Sequence, residues 1–221
     1  MLTSIDVHRF QPELKQEIYV KQEKSYIFWK RCFDLLIAGL VTLFILIWLI
    51  PILGLLIMIE SRGPVIFIQV RTGQNGRRFR CLKFRTMTYE RNAVFKQVVH
   101  EDARVTRIGK YLRKSNIDEL PQFLNVLVGS MSIVGPRPHA IDHDAKYWHK
   151  LPNYPKRYSV LPGITGLAQV RGARGVTEQN SKMQDRLRYD LFYIRKRTLW
   201  QDLQICWWTL KAMYKGDENA C

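Results

Sequence analysis

LLIAGLVTLFILIWLIPILGLLIMI, from Leu35 to Ile59, contains no charged side chain, and a strongly basic, water-soluble sequence follows it. At about 1.5 Å per helical residue, a run of roughly 25 residues is long enough to cross a bilayer core as one tilted helix. Pro51 complicates that reading. It lacks a backbone donor and crowds the preceding turn, so it predicts a break at Ile50 and Pro51 with a short helical segment on either side. Two readings stand on these residues alone: a kinked single-pass anchor, or a re-entrant hairpin whose freed carbonyls are sheltered by protein or by the interface.

The flanks speak to orientation. Lys21, Lys24, Lys30 and Arg31 precede the run, and Arg62, Arg71, Arg77, Arg78 and Arg80 follow it. One crossing would place positive charge on the wrong side at one end, so both ends are expected to face the cytoplasm. The segment is too long for a removable signal peptide and lacks a small-residue cleavage site. The division expected is a tail over residues 1–29, a membrane segment over 30–60 and one compact domain over 61–221.

Composition narrows the chemistry. Cys32, Cys81, Cys206 and Cys221 are scattered without CxxC spacing, which excludes a disulfide framework or zinc ribbon and fits a reducing compartment. His139 and His143 read as a surface pair, since no further ligands stand near them in sequence. A net charge of +16 suits an anionic leaflet and phosphate-rich ligands, and would attract nucleic acid as well.

Past the anchor, Pro64 to Val70 is rich in β-formers, Asn75-Gly76 is a hairpin-turn signal, and Phe79 to Met87 reads as the returning strand. Lys83 and Arg85 stand two positions apart, on one face of that strand, where they could hold a diphosphate or simply form a solvated basic edge. From Asp102 to Val128 the apolar spacing turns helical, through Ile108, Leu112, Leu120, Leu124 and Leu127. Pro121 predicts a helix starting near Asn116 to Asp118, with Asp118 and Glu119 in its first turn. There the acids either cap the helix, with Asn116 and Glu119 as a capping box, or carry chemistry, with a carboxylate kept ionised by the helix dipole and Arg113.

Three glycine, proline and arginine turns follow: Val134-Gly135-Pro136-Arg137-Pro138, Pro162-Gly163-Ile164-Thr165-Gly166 and Arg171-Gly172-Ala173-Arg174-Gly175. Each could offer backbone donors to phosphate, and the first and third a guanidinium as well. Near the C-terminus, Leu199 to Trp208, with Lys211 and Lys215 after it, is amphipathic and aromatic and reads as a helix lying in a membrane interface.

Taken in order, Lys83-Phe84-Arg85-Thr86-Met87, Asp118-Glu119-Leu120-Pro121-Gln122, the Gly135 turn, the Gly163 turn and Tyr189-Asp190-Leu191-Phe192-Tyr193 resemble the bacterial sugar transferases, the monotopic phosphoglycosyl transferases. The likeness covers about Lys30 to Lys211. It implies a membrane-associated α+β protein, with a re-entrant helix broken at proline and a small cytosolic α/β domain carrying interfacial helices, at the cytoplasmic face of the bacterial inner membrane. The activity implied is transfer of a sugar 1-phosphate from a nucleotide diphosphate sugar, a UDP-sugar by preference, to polyprenyl (undecaprenyl) phosphate, with release of the nucleoside monophosphate.

Residue by residue, the resemblance makes Asp118 the nucleophile that forms a phosphosugar intermediate and Glu119 its acidic partner, with Mg²⁺ beside both. It surrounds the phosphates with Lys83, Arg85, Arg113 and Arg137, and adds Asp190 and Arg174 as further polar positions. It implies membrane lipid as a partner and no nucleic acid, and leaves a homo-oligomer open. Larger members carry further membrane helices and another domain ahead of this region, so a minimal catalytic form is expected. Gly166-Leu167-Ala168-Gln169 stands where the family commonly reads Gly-Trp-Ala-Gln. Pro138-His139-Ala140 and the Arg171 loop lean toward the glucose 1-phosphate branch. Two rivals remain on sequence: a membrane-anchored anion binder without catalysis, and direct transfer without a covalent intermediate.

Overall fold

A computed structural model describes residues 24–89, 102–173 and 180–215. A helical stretch from Lys24 to Glu60 is the one segment, among the described residues, long and apolar enough to cross a membrane. It consists of α1 (Lys24–Val41), a π-helical turn (Thr42–Leu46) and α2 (Ile47–Glu60). Pro51 lies inside α2, so helical structure is not interrupted at Ile50 and Pro51 as the sequence suggested. The irregular turn lies just ahead of it: the Ile47 amide bonds five residues back, to the Thr42 carbonyl. A helical proline needs room at the carbonyl four residues before it, here that of Ile47, and the widened turn ends beside that position.

α1 is not simply a lipid-facing rod. Asp34 and Ala38 are buried, and Asp34 accepts hydrogen bonds from Lys30 Nζ at 2.8 Å and from the Ile133 amide at 3.1 Å. Arg31 donates to the carbonyls of Val126 and Leu127. The far end of α2 packs as well: Ile57 forms a buried cluster with Phe84 and Leu112. Both ends of the long helix therefore rest on the same folded body.

That body is α+β. β1 (Ile66–Thr72) and β2 (Arg78–Phe84) form an antiparallel hairpin with Ile66 opposite Phe84 and Thr72 opposite Arg78. Asn75 and Gly76 have φ of 54° and 73°, the left-handed pair that a tight hairpin turn requires. Within 102–128, where the spacing turns helical, lie two short helices, α3 (Arg107–Lys114) and α4 (Gln122–Leu127); the helix expected to start near Asn116 to Asp118 begins at Gln122, after a 3₁₀ turn (Ile117–Glu119). Asn116, at φ 56°, turns the chain out of the first helix, and Pro121 opens the second. The capping box is not formed, because Asn116 makes no side-chain cap.

β3 (Ser132–Val134) pairs in parallel with β4 (Gly163–Thr165), and α5 (Ile141–Tyr147), a 3₁₀ stretch (Tyr154–Ser159) and α6 (Leu167–Val170) complete the middle of the chain. α7 (Asn180–Lys196) and α8 (Leu199–Lys215) close it. The main core gathers Ala38, Val126, Ile133, Val134, Tyr193 and Ile205 from five of these elements, and Met131 from the loop before β3. α8 buries Asp202 and Ile205 while exposing Trp200, Leu203, Trp207 and Leu210 along one stripe. Asp202 accepts from Tyr193 at 2.7 Å and from Tyr26 at 3.2 Å, tying α8 to α7 and α1.

Asp34 offers a test of this docking. Asp34→Ala strands a buried amide and removes one of the two carboxylates beside Lys30, and should lower stability by about 3 kcal/mol. Equilibrium unfolding of the detergent-solubilised chain measures it.

Candidate active site

Four elements converge on the acid pair. The 3₁₀ turn holds Asp118 buried, with Glu119 beside it. β2 contributes Lys83, whose Nζ lies 2.6 Å from Glu119 Oε1 and 3.9 Å from Asp118 Oδ2. The loop after β3 contributes Arg137, whose guanidinium donates to both Glu119 oxygens, Nη1 to Oε2 at 2.9 Å and Nη2 to Oε1. Arg113, in the last turn of α3, donates through Nε to Thr86 Oγ1 at 2.8 Å, and its charge reaches Asp118.

The two acids differ in kind. Burial would raise the pKa of Glu119, but Arg137 and Lys83 outweigh it and hold the carboxyl well below its ordinary range. Asp118 moves the other way: burial raises its pKa, Lys83 opposes this, and the Glu119 anion adds to the rise. The expectation that the helix dipole and Arg113 would lower it is thus corrected, since the acid sits in a buried 3₁₀ turn and not at the start of a helix. Asp118 accepts no side-chain hydrogen bond among the described residues, so its carboxylate is open. Glu119 Oε1 takes two donors and Oε2 one, leaving about one lone-pair direction on Oε2. An open carboxylate beside one with spare oxygen capacity is a hard, all-oxygen donor set that fits Mg²⁺, an ion that binds through one or two carboxylates plus phosphate oxygens.

Other expected residues are placed elsewhere. Arg85 lies past the end of β2 and donates to the carbonyls of Ser61 and Arg62, each at 2.6 Å, at the end of α2. It is a helix clamp and does not join Lys83. Asp190 is buried against Arg157, with Oδ2 2.8 Å from Nη2. Arg157 Nη2 also donates to the Arg137 carbonyl at 2.9 Å, so Asp190 supports the Arg137 loop from behind. Arg174 lies outside the described residues. The Gly135 and Gly163 turns face each other: the Gly135 amide bonds to Thr165 O at 2.9 Å and the Gly163 amide to Pro136 O at 3.0 Å. A Cβ at Gly163 would strike the Gly135 amide nitrogen, so these glycines serve close backbone approach.

Arg157 is the residue that sequence reasoning missed. No motif marked it, yet Arg157 is buried between the rings of Tyr154 and Tyr158. The only hint was its tyrosine neighbours, which are suited to flank a guanidinium. His139 is likewise no surface residue: it is buried, its ring 4.6 Å from that of His143, and Asp144 brings a third ligand atom within 4.8 Å. Their ligand atoms are already engaged, which disfavours a divalent ion there: His139 Nδ1 lies 2.8 Å from Tyr154 Oη and against Arg157 Nη1, and Asp144 Oδ1 accepts from Tyr154 and Tyr158.

The sequence model of the bacterial sugar transferase family matches residues 25–216. The chain belongs to that family. A Klebsiella pneumoniae relative named UDP-glucose:undecaprenyl-phosphate glucose-1-phosphate transferase is 46% identical over 194 residues, which are 86% of this chain and 40% of that protein. The exopolysaccharide production protein PSS of Rhizobium leguminosarum is 42% identical over 186 residues, 82% of this chain and 92% of the relative. An Aeromonas hydrophila relative, named as an N-acetylgalactosamine phosphotransferase acting on undecaprenyl phosphate, is 38% identical over 192 residues, 86% of this chain and 45% of its own length. The bacterial sugar transferase chain thus spans about two fifths of the Klebsiella protein and of an Escherichia coli relative of the same name.

The electrostatics predict an activity–stability exchange at Asp118. A carboxyl whose folded pKa is raised weakens the fold as pH climbs through that pKa, and the penalty vanishes below the unfolded value of about 4. Asp118→Asn should therefore raise the melting temperature at pH 7, with the gain shrinking toward pH 4. Melting curves of both proteins across that range decide it.

Proposed function

We propose that this bacterial sugar transferase moves a sugar 1-phosphate from a nucleotide diphosphate sugar, with UDP-glucose the first donor to test, onto undecaprenyl phosphate. The observation that carries this is the open, buried Asp118 carboxylate beside a Glu119 held by Lys83 and Arg137. An oxygen of Asp118 attacks the β-phosphorus, forming an acyl phosphate, and the bond to the α-phosphate breaks to release nucleoside monophosphate. The phosphate oxygen of the lipid then attacks the same phosphorus, the acyl phosphate bond breaks, and Asp118 returns as carboxylate. No proton changes hands in either displacement.

Asp118 is a nucleophile by position as much as by charge. Burial removes competing water and strengthens the attraction of Lys83 and Arg137 for a diphosphate. Glu119 fixes both cations in place, and Arg113 stands where a leaving phosphate gathers charge. The carboxylates of Asp118 and Glu119 are the residues to hold Mg²⁺, which when bound neutralises the diphosphate enough for an anion to approach. Asp190, through Arg157, keeps the Arg137 loop from yielding.

The membrane reading follows from the docking of the long helix. Arg31 and Asp34 at one end, and Ile57 at the other, contact one folded body, which favours a re-entrant segment over a through-going span. Basic residues on both flanks favour the cytoplasmic face of the inner membrane. The exposed stripe of Trp200, Leu203, Trp207 and Leu210 is suited to lie in the same interface.

Intact-protein mass spectrometry after incubation with Mg²⁺ and UDP-sugars, lipid omitted, should reveal an added sugar phosphate. The adduct should be absent in Asp118→Asn and after chelation with EDTA. Lipid-dependent turnover without an adduct would point to direct transfer, and neither adduct nor turnover with any donor would favour an anion-binding protein.

A further inference from the structure

Where α2 meets the folded body, two side chains clamp in opposite directions. Arg85 reaches from the end of β2 to the carbonyls of Ile57, Ser61 and Arg62 at the C-terminus of α2. Glu60, the last residue of α2, reaches back: its Oε1 accepts the Arg107 amide at 2.6 Å and its Oε2 the Ile108 amide at 3.0 Å. These are the first two amides of α3, which its own helix cannot satisfy. Thr106, the residue ahead of them, supplies the remaining cap by accepting from the Gly109 amide at 3.0 Å. A carboxylate contributed from a distant element thus completes the N-terminus of α3 and complements its dipole.

α3 is short and leads directly into the acid turn. Its last turn carries Arg113, the Arg113 carbonyl accepts the Asn116 amide at 3.1 Å, and the Asn116 carbonyl accepts the Glu119 amide at 3.2 Å. The N-terminal end of α3 is pressed against the chain just past β2, the strand that carries Lys83: the Thr106 amide bonds to Thr86 O at 3.1 Å, and a Cβ on Gly109 would collide with that same carbonyl. Thr86 O and the Glu60 carboxylate thus act together on the first turn of α3.

We infer that Glu60 is a positioning residue for the reaction, holding α3 so that Arg113 and Asp118 stand where the diphosphate needs them. The inference rests on the reading of Asp118 as nucleophile. The membrane helix would then be a part of the active-site framework, and not only an anchor.

The test uses the full chain in detergent with Glu60→Ala, Glu60→Gln and Glu60→Ala combined with Arg107→Pro. Proline at the first helical position removes one of the two stranded donors, that of residue 107, and suits the helix geometry. Two readouts are taken: the rate and donor dependence of adduct formation, and amide hydrogen exchange over residues 106–119 without substrate. Glu60→Ala should lower kcat roughly tenfold or more while the donor KM stays within about threefold, as expected of misplaced reacting groups. Glu60→Gln, which keeps one acceptor oxygen, and the combined variant should each recover part of the loss. Exchange should quicken as far as Glu119 and stay unchanged in α7.

Wild-type kcat in Glu60→Ala, or quickened exchange confined to residues 106–110, would overturn the inference and leave Glu60 a local cap. If Glu60→Ala does not fold, Glu60→Gln decides by the same two readouts. If the wild type forms no adduct, the proposed function fails, and the reach of the exchange effect still decides whether Glu60 governs the acid turn.

Discussion

Glu119 is the anion on which the arrangement of this protein's centre depends. A carboxylate taken out of water is costly unless fixed partners compensate it, and here the partners come from separate parts of the chain: Lys83 from a hairpin strand and Arg137 from the loop after β3. Because the carboxylate is pinned, the hairpin, the acid turn and the parallel strand pair share one point of reference. Asp118, its neighbour in sequence, then accepts no side-chain hydrogen bond among the described residues and keeps only the longer ion pair to Lys83 at 3.9 Å. That division lets an acid pair hold the fold together with one member and leave the other for the attack proposed above.

Behind this centre runs a second polar layer. Asp190 and Arg157 form a buried ion pair whose spare donor meets the main chain at Arg137, and His139 lies 2.5 Å from Arg157 Nη1. Buried networks of this kind fix geometry more than they add stability, since the charges recover in mutual attraction about what they lose in hydration. A side chain presented to phosphate gains from such backing because its position no longer depends on solvent.

Local signals in the sequence read well. Asn75-Gly76 marked the hairpin turn because few residue pairs adopt two consecutive positive φ values, and the acid pair stood out by its place among ordered motifs. Lys83 and Arg137 were recognisable for the same reason. What stayed hidden was tertiary in origin. The partners of Arg85 are main-chain carbonyls, which every residue owns and no pattern marks. Arg157 is coded like a surface arginine, and only the arrival of Asp190, thirty-three positions on, makes its burial tolerable. The helical periodicity over 102–128 was real, but Asn116 and Pro121 divided it, and the gap between the two helices is where the acids lie.

The π-helical turn at Thr42–Leu46 has a consequence for the whole apolar segment. Such a turn holds one residue more than the α-helical count, so it rotates everything after it by about 100° relative to an uninterrupted helix. With that phase shift, Ala38 on one side and Ile57 on the other point toward a common azimuth, and both are buried in the folded body. Without it, Ile57 would swing away from the folded body and a different stripe would meet Phe84 and Leu112. The length of this segment is therefore not a neutral quantity: its two halves are indexed against each other by a single inserted residue.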